Sequence, residues 1–177
     1  TAPRPRRGTR VVSRAVTEHP LSVLVENKPG VLSRVAGMFT RRGYNIDSLA
    51  VSPTEHDDRS RMTITVDASR FPVEQITKQL DKLINVIKVR DLDPENMVAF
   101  ELGLYKVSTA AIPRAEVLAL VDIFEGKIVD VTRDSLIIQA TGTTGELENL
   151  EELLRHNGLV EMVRTGVVAL GRGNKTT

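Results

Sequence analysis

The chain has 177 residues, 24 of them Lys or Arg and 23 Asp or Glu, and no cysteine. The missing cysteines exclude disulfides, thiolate metal ligands and cysteine nucleophiles. No apolar run approaches the roughly 18–20 residues that a bilayer-spanning helix needs. Thr1–Ser13 lacks the apolar core of a secretory signal, so the default expectation is a cytoplasmic protein.

The net charge of +1 hides an asymmetry. Residues 1–17 hold Arg4, Arg6, Arg7, Arg10 and Arg14 and no acid, and the rest of the chain carries more acids than bases. With Pro3, Pro5 and Gly8 among the arginines and no periodicity, this segment reads as a flexible basic arm. From Leu21 the pattern changes. Leu21, Val23 and Val25 alternate with Ser22, Leu24 and Glu26 and predict a strand. Asn27-Lys28-Pro29-Gly30 is a turn, and Leu32, Val35, Ala36 and Phe39 then recur at helical spacing. Arg41, Arg42 and Gly43 close that helix, with cations in its last turn and glycine just past its end.

Ile46–Ser52 predicts a second strand, stopped by Pro53, and His56-Asp57-Asp58 a hairpin loop. Met62, Ile64 and Val66 alternate with Thr63, Thr65 and Asp67 in a third strand. Pro72 opens a helix with Ile76, Leu80 and Leu83 on one side, and Val86–Val89 gives a fourth strand. After a linker at Asp91-Leu92-Asp93-Pro94 the same order recurs: Val98–Val107, a helix after Pro113, strands at Lys127–Val131 and Leu136–Ala140, a helix through Leu147, Leu150 and Leu154 with Thr144 and Glu148 as a loose cap, and strands at Val160–Val163 and Val167–Leu170. The expected fold is α+β, two ferredoxin-like βαββαβ domains in tandem, each an antiparallel sheet with both helices on one face. The expected bounds are 1–17 for the arm, 18–92 and 93–173 for the domains and 174–177 for a tail. Such small sheets need cover on their second face, which points to a homodimer at least.

Few residues suggest chemistry. His19, His56 and His156 have no ligand partner at helical spacing, and Asp57-Asp58 and the run Glu146, Glu148, Glu151, Glu152 read as solvated acids. Thr141-Gly142-Thr143-Thr144-Gly145 lacks the Gly-Lys-Ser/Thr ending of a phosphate loop, and Gly171-Arg172-Gly173 reads as a flexible end. No catalytic residue, metal site or bound cofactor is expected. The turn at Asn27–Leu32 is more specific. N–H groups around Gly30, Val31 and Leu32 would point off a helix start, a site for a carboxylate. Asn27 and Asn45 could offer amide oxygens to an ammonium. These groups suit a zwitterionic amino acid, although a plain helix-opening turn accounts for the same residues.

LSVLVENKPGVLSRVAGMFTRRGYNIDSLA (21–50) resembles the start of the small subunits of acetolactate synthase. SRMTITV (60–66), QITKQLDKLINVIKV (75–89), SLIIQATGTTGELE (135–148) and TGVVALGRG (165–173) fit the same family, so the resemblance spans about 18–173. It implies a regulatory, non-catalytic subunit of branched-chain amino acid biosynthesis. An N-terminal ACT domain would bind valine at a homodimer interface, and an ACT-like C-terminal domain would help engage the catalytic subunit. The family's catalytic subunit carries thiamine diphosphate, Mg²⁺ and FAD. The family motif falls on Asn27, Gly30, Val31, Leu32, Asn45 and Ile46, with Asn27 and Asn45 supplied by facing protomers. The family commonly starts close to the first strand, and the basic residues of the arm have no family role to carry over. An alternative reading is a nucleic-acid-linked ferredoxin-like module using the arm. Six aromatic residues and a Thr-lined strand leave little on which bases could stack. Neither nucleic acid nor membrane is expected as a partner.

Overall fold

The structure is a computed structural model and describes residues 18–110 and 112–177, so the basic arm lies outside the described residues. The first unit runs β1 (Glu18–Glu26), α1 (Val31–Arg42), β2 (Ile46–Pro53), β3 (Arg59–Asp67), α2 (Val73–Asp81) and β4 (Val86–Asp91). Its antiparallel sheet has the order β2-β3-β1-β4. Alternation on β1 and β3 puts Leu21, Val23, Val25, Met62, Ile64 and Val66 on one face. There they meet Val31, Val35, Met38 and Phe39 of α1 and Ile76 and Leu80 of α2 in one core. Each such side chain, fully buried, contributes roughly 1.5–3 kcal/mol. Gly43 stops α1 at φ 69°, and its N–H returns to the carbonyls of Phe39 and Thr40. That left-handed position is why a glycine stands there.

The second unit runs β5 (Met97–Ser108), α3 (Arg114–Ile123), β6 (Lys127–Val131), β7 (Ser135–Gly142), α4 (Thr144–His156), β8 (Leu159–Arg164) and β9 (Val168–Gly171). Its sheet repeats the arrangement as β6-β7-β5-β8, while β9 pairs with Met97–Phe100 at the start of β5. Val117, Val121, Leu147, Leu150 and Leu154 pack against Tyr105, Val107, Leu136 and Ile138 in a separate core. The architecture is the expected α+β pair of ferredoxin-like units.

Five details depart from the sequence reading. The far face of the first sheet is covered by the chain itself: Ser22, Leu24, Thr63 and Thr65 are all less than a tenth exposed. Leu92, Val167 and Ala169 form a third small core with Met97 and Ala99, so the linker at 91–94 is packed rather than loose. Residues around Gly171-Arg172-Gly173 are held as well. The Arg172 N–H donates to the Asn96 carbonyl at 3.0 Å, and Arg90 and Lys88 donate to the Lys175 and Thr176 carbonyls at 2.6 and 2.8 Å. The cap of α4 is Thr143, not Thr144. Its hydroxyl accepts from the Glu146 N–H, and the Glu146 carboxylate accepts from the Thr143 N–H at 2.8 Å. This reciprocal box needs the acid three residues after the cap, a spacing that Thr143 and Glu146 supply. Glu151, read as a solvated acid, is turned inward and is 8% exposed.

Candidate functional site

β1 delivers the chain into Asn27-Lys28-Pro29-Gly30, and α1 starts at Val31. Gly30 is the N-cap residue at φ 83°, a backbone region glycine occupies at little cost. It offers no side-chain cap, and the first turn of α1 contains no acid. A Cβ built on Gly30 would meet nothing within 4 Å, so the approach to the helix start is open. The Val31 N–H turns back to the Lys28 carbonyl at 3.4 Å, and the Val31 side chain is buried in the first core. The donors left to face outward are therefore those of Leu32 and Ser33, for which an α-helix supplies no acceptor of its own. Leu32 is 44% exposed beside them. An uncapped helix start with positive partial charge favours an anion.

A web of hydrogen bonds holds this turn. The Asn85 side-chain amide donates to the Glu26 carboxylate at 2.7 Å, and its oxygen accepts from Arg34 at 2.8 Å. The Glu26 N–H donates to the Asn85 carbonyl at 3.0 Å. Lys28 pairs with Glu26 at 3.2 Å. The Asn85 hydrogen bond, and then Lys28, hold the Glu26 carboxyl below its ordinary pKa. Asn27 donates its N–H to the Asp58 carbonyl and its side-chain amide to the Asp57 carbonyl, at 2.8 and 3.0 Å. Nothing in the local sequence announces Asn85 or Arg34 as braces, because the contact spans more than fifty positions.

Asn45 and Ile46 lie at the other end of α1. Twelve helical residues span about 18 Å, so one chain does not bring Asn27 and Gly30 together with Asn45 and Ile46. A site that uses both sets needs a second copy. Asn45 is exposed and donates to the Asp47 carboxylate at 2.8 Å, and Ile46 is half-buried against the first core. The β2–β3 register slips between Ile46 and Ser48, which makes Asp47 the extra residue of a bulge. Because of it, Ile46 and Leu49 both turn toward the core and Ser48 turns away, a break in alternation invisible in the sequence. Clefts of about 290, 350 and 830 Å³ lie between the two units, and none is lined by the six motif residues.

The second unit holds its polar side chains differently. Arg164 lies between Glu101 at 2.7 Å and Glu151 at 3.0 Å. Thr144 donates to Glu101 at 2.6 Å, and the buried Tyr105 hydroxyl donates to Glu151 at 3.4 Å. Burial opposes the Arg164 charge, but Glu101 and Glu151 outweigh it and the pKa of Arg164 rises. Burial, and then Glu151, push the Tyr105 phenol up as well. Among the described residues no group of His, Asp and Glu is placed to hold a metal ion, and no helix is long and apolar enough to cross a membrane.

Known proteins match both units of this fold. A family model described as the AHAS small subunit-like ACT domain matches residues 21–88. A second, described as the small subunit of acetolactate synthase, matches residues 100–173. An acetolactate synthase small subunit of Mycobacterium bovis is 54% identical over 155 residues, covering 88% of this chain and 92% of that protein. A probable acetolactate synthase small subunit of Archaeoglobus fulgidus is 51% identical over 158 residues, covering 89% and 99%. The crystal structure of the acetolactate synthase small subunit from Thermotoga maritima superposes with a TM-score of 0.82 at 44% identity, covering 89% of this chain and 99% of that one. Two matched halves, an open turn at Gly30 and these relatives agree: the chain belongs to the acetolactate synthase small-subunit family.

Proposed function

We propose that this chain is the regulatory subunit of an acetolactate synthase in branched-chain amino acid biosynthesis. It activates a catalytic subunit that carries thiamine diphosphate, Mg²⁺ and FAD, and valine bound between the ACT domains of a homodimer lowers that activity. The observation that carries the reading is the open, uncapped start of α1 at Gly30, braced by Asn85 and unobstructed within 4 Å. The valine carboxylate sits on the N–H groups of Leu32 and Ser33. Its ammonium meets the side-chain oxygens of Asn27 and of Asn45 from the facing copy, and its isopropyl group lies against Leu32 and Ile46. The separation of the two asparagines along α1 favours a site shared by two copies. Self-association is further supported by apolar side chains of the second sheet that are about half exposed or more: Val163 on β8, and Phe100, Val168 and Leu170, which line the cleft between the units.

Valine acts by binding one arrangement of the dimer more tightly than another, and it shifts the equilibrium by no more than that difference. Calorimetric titration of the full chain with valine, leucine and isoleucine tests the reading directly. Saturable binding of valine, with inhibition of the reconstituted holoenzyme over the same concentration range, is the expected result. No heat with any of the three would overturn it. The nucleic-acid reading finds no support in the fold, because β9 and the residues after it cover the far face of the first sheet.

A further inference from the structure

Among the contacts between the two units is a tightly built crossing just past the start of β2. The bulge at Asp47 turns Ser48 toward the second unit. The Ser48 hydroxyl donates to the Thr65 hydroxyl at 3.0 Å and accepts from the Val167 N–H at 3.2 Å. One residue earlier, Gly166 lies against the backbone of Leu49: a Cβ there would stand 2.6 Å from the Leu49 carbonyl oxygen and 2.8 Å from its nitrogen. No side chain fits between these two backbones. The connector 165–167 is anchored on its other side too. The Thr165 N–H donates to the Leu102 carbonyl at 2.9 Å, and the Thr165 hydroxyl accepts from the Leu102 N–H at 3.0 Å. Directly before it stands Arg164, fixed between Glu101 and Glu151.

We propose that Ser48 is a positioning residue that couples the effector site to the second unit through Val167. This rests on the reading that the effector binds beside Asn45 and Ile46, three and two residues upstream. The bulge lies between Ile46 and Ser48, so a change in Ile46 on ligand binding alters how Ser48 meets the connector. The connector cannot absorb that change by bending, because Thr165 ties it to β5 and Gly166 leaves no gap above Leu49. Packed contacts of this kind switch between arrangements instead of deforming smoothly. Movement of 165–167 then reaches Arg164, which joins β5, α4 and β8.

The test uses the full chain and its holoenzyme with a catalytic subunit. Ser48→Ala removes the acceptor of the Val167 N–H, Ser48→Thr keeps it, and Gly166→Ala forces the two backbones apart. Ser48→Ala and Gly166→Ala are expected to bind valine within about threefold of the unaltered chain by calorimetry. The valine concentration for half-inhibition of the holoenzyme is expected to rise about tenfold or more, and Ser48→Thr to restore it. A purely structural role would not separate binding from inhibition in this way. Amide exchange supplies a readout that needs no variant: saturating valine should change the exchange rate of the Val167 N–H in the unaltered chain. Inhibition of Ser48→Ala at the unaltered concentration, or no change at Val167, overturns the coupling while the effector site stands. Absence of valine binding to the unaltered chain overturns the effector reading itself.

Discussion

The two units repeat one topology, and their first strand-to-helix turns occupy equivalent positions, yet only one is open to an anion. α1 starts after Gly30 with no cap and no acid. α3 starts after Pro113, which has no N–H to offer, and carries Glu116 in its first turn. A negative charge there cancels the attraction of the helix start for a carboxylate. Arg114, at the start of α3, donates to the carbonyls of Thr132 and Arg133 at 2.8 Å each, so the turn is closed by its own side chains. The comparison extends to the cores. The buried polar side chains of the first unit are hydroxyls, whereas the second unit buries Glu101 and Glu151 around Arg164. The fold supplies two helix starts of one kind, and a few residues decide which of them is left open and which unit is locked from within.

The largest expected effect breaks the lock of the second unit. Arg164→Met leaves two carboxylates buried without their cation and should destabilise the chain by about 3–5 kcal/mol. Urea unfolding would show this as a lower midpoint. An unchanged midpoint would mean that the network adds nothing and that the two cores are alike. Next comes the open turn of the first unit. Gly30→Asp places in it the kind of charge that Glu116 places in α3, and should weaken valine binding by about a hundredfold or more, equivalent to about 2.7 kcal/mol. Both Asp and Asn carry a strain of about 1 kcal/mol at this positive φ, so Gly30→Asn controls for shape without charge. Equal loss of valine binding in the two variants would show that charge is not the deciding factor.

A smaller effect is expected at the capped start of α4. Thr143→Ala removes half of the capping box and should cost about 1 kcal/mol of stability, read as a small drop in the unfolding midpoint. Valine binding should stay as it was, and a weakened affinity would show that the second unit's helix starts matter to the ligand after all. The smallest effect concerns acid. The Glu26 carboxyl is held below its ordinary pKa by Asn85 and then Lys28, so its contribution is present at neutral pH and lost as the pH falls through that lowered value. Glu26→Gln should flatten the acid side of the stability profile, measured as urea midpoints from neutral into the acid range. A profile identical to that of the unaltered chain would remove Glu26 from the bracing of the turn.

Much of the candidate site can be read along the chain. Pro29-Gly30 ahead of a helical stripe marks an open helix start because glycine and proline act locally, and the absence of acid in the first turn is visible in Val31–Arg34. The braces cannot be read in this way. Asn85 reaches Glu26 and Arg34 only because β4 pairs with β1. The bulge at Asp47 is equally hidden, since Ile46, Ser48 and Ala50 look like one face of a regular strand until β3 fixes the register. Glu151 looks solvated in a run of acids and is turned inward only because Arg164 arrives from β8.

The sequence by itself determined what depends on neighbours within a few positions: the period of each strand and helix, the glycine stops at Gly30 and Gly43, the repeated order of elements and the family resemblance of the first turn. The tertiary structure alone decided what depends on residues far apart in the chain. It brought Asn85 against Glu26, laid β9 over the first sheet, surrounded Arg164 with two carboxylates and set Gly166 against Leu49. The physical reason is that periodicity and backbone preference act over one or two turns, whereas burial and hydrogen-bond partnership are settled only when distant segments compete for the same space.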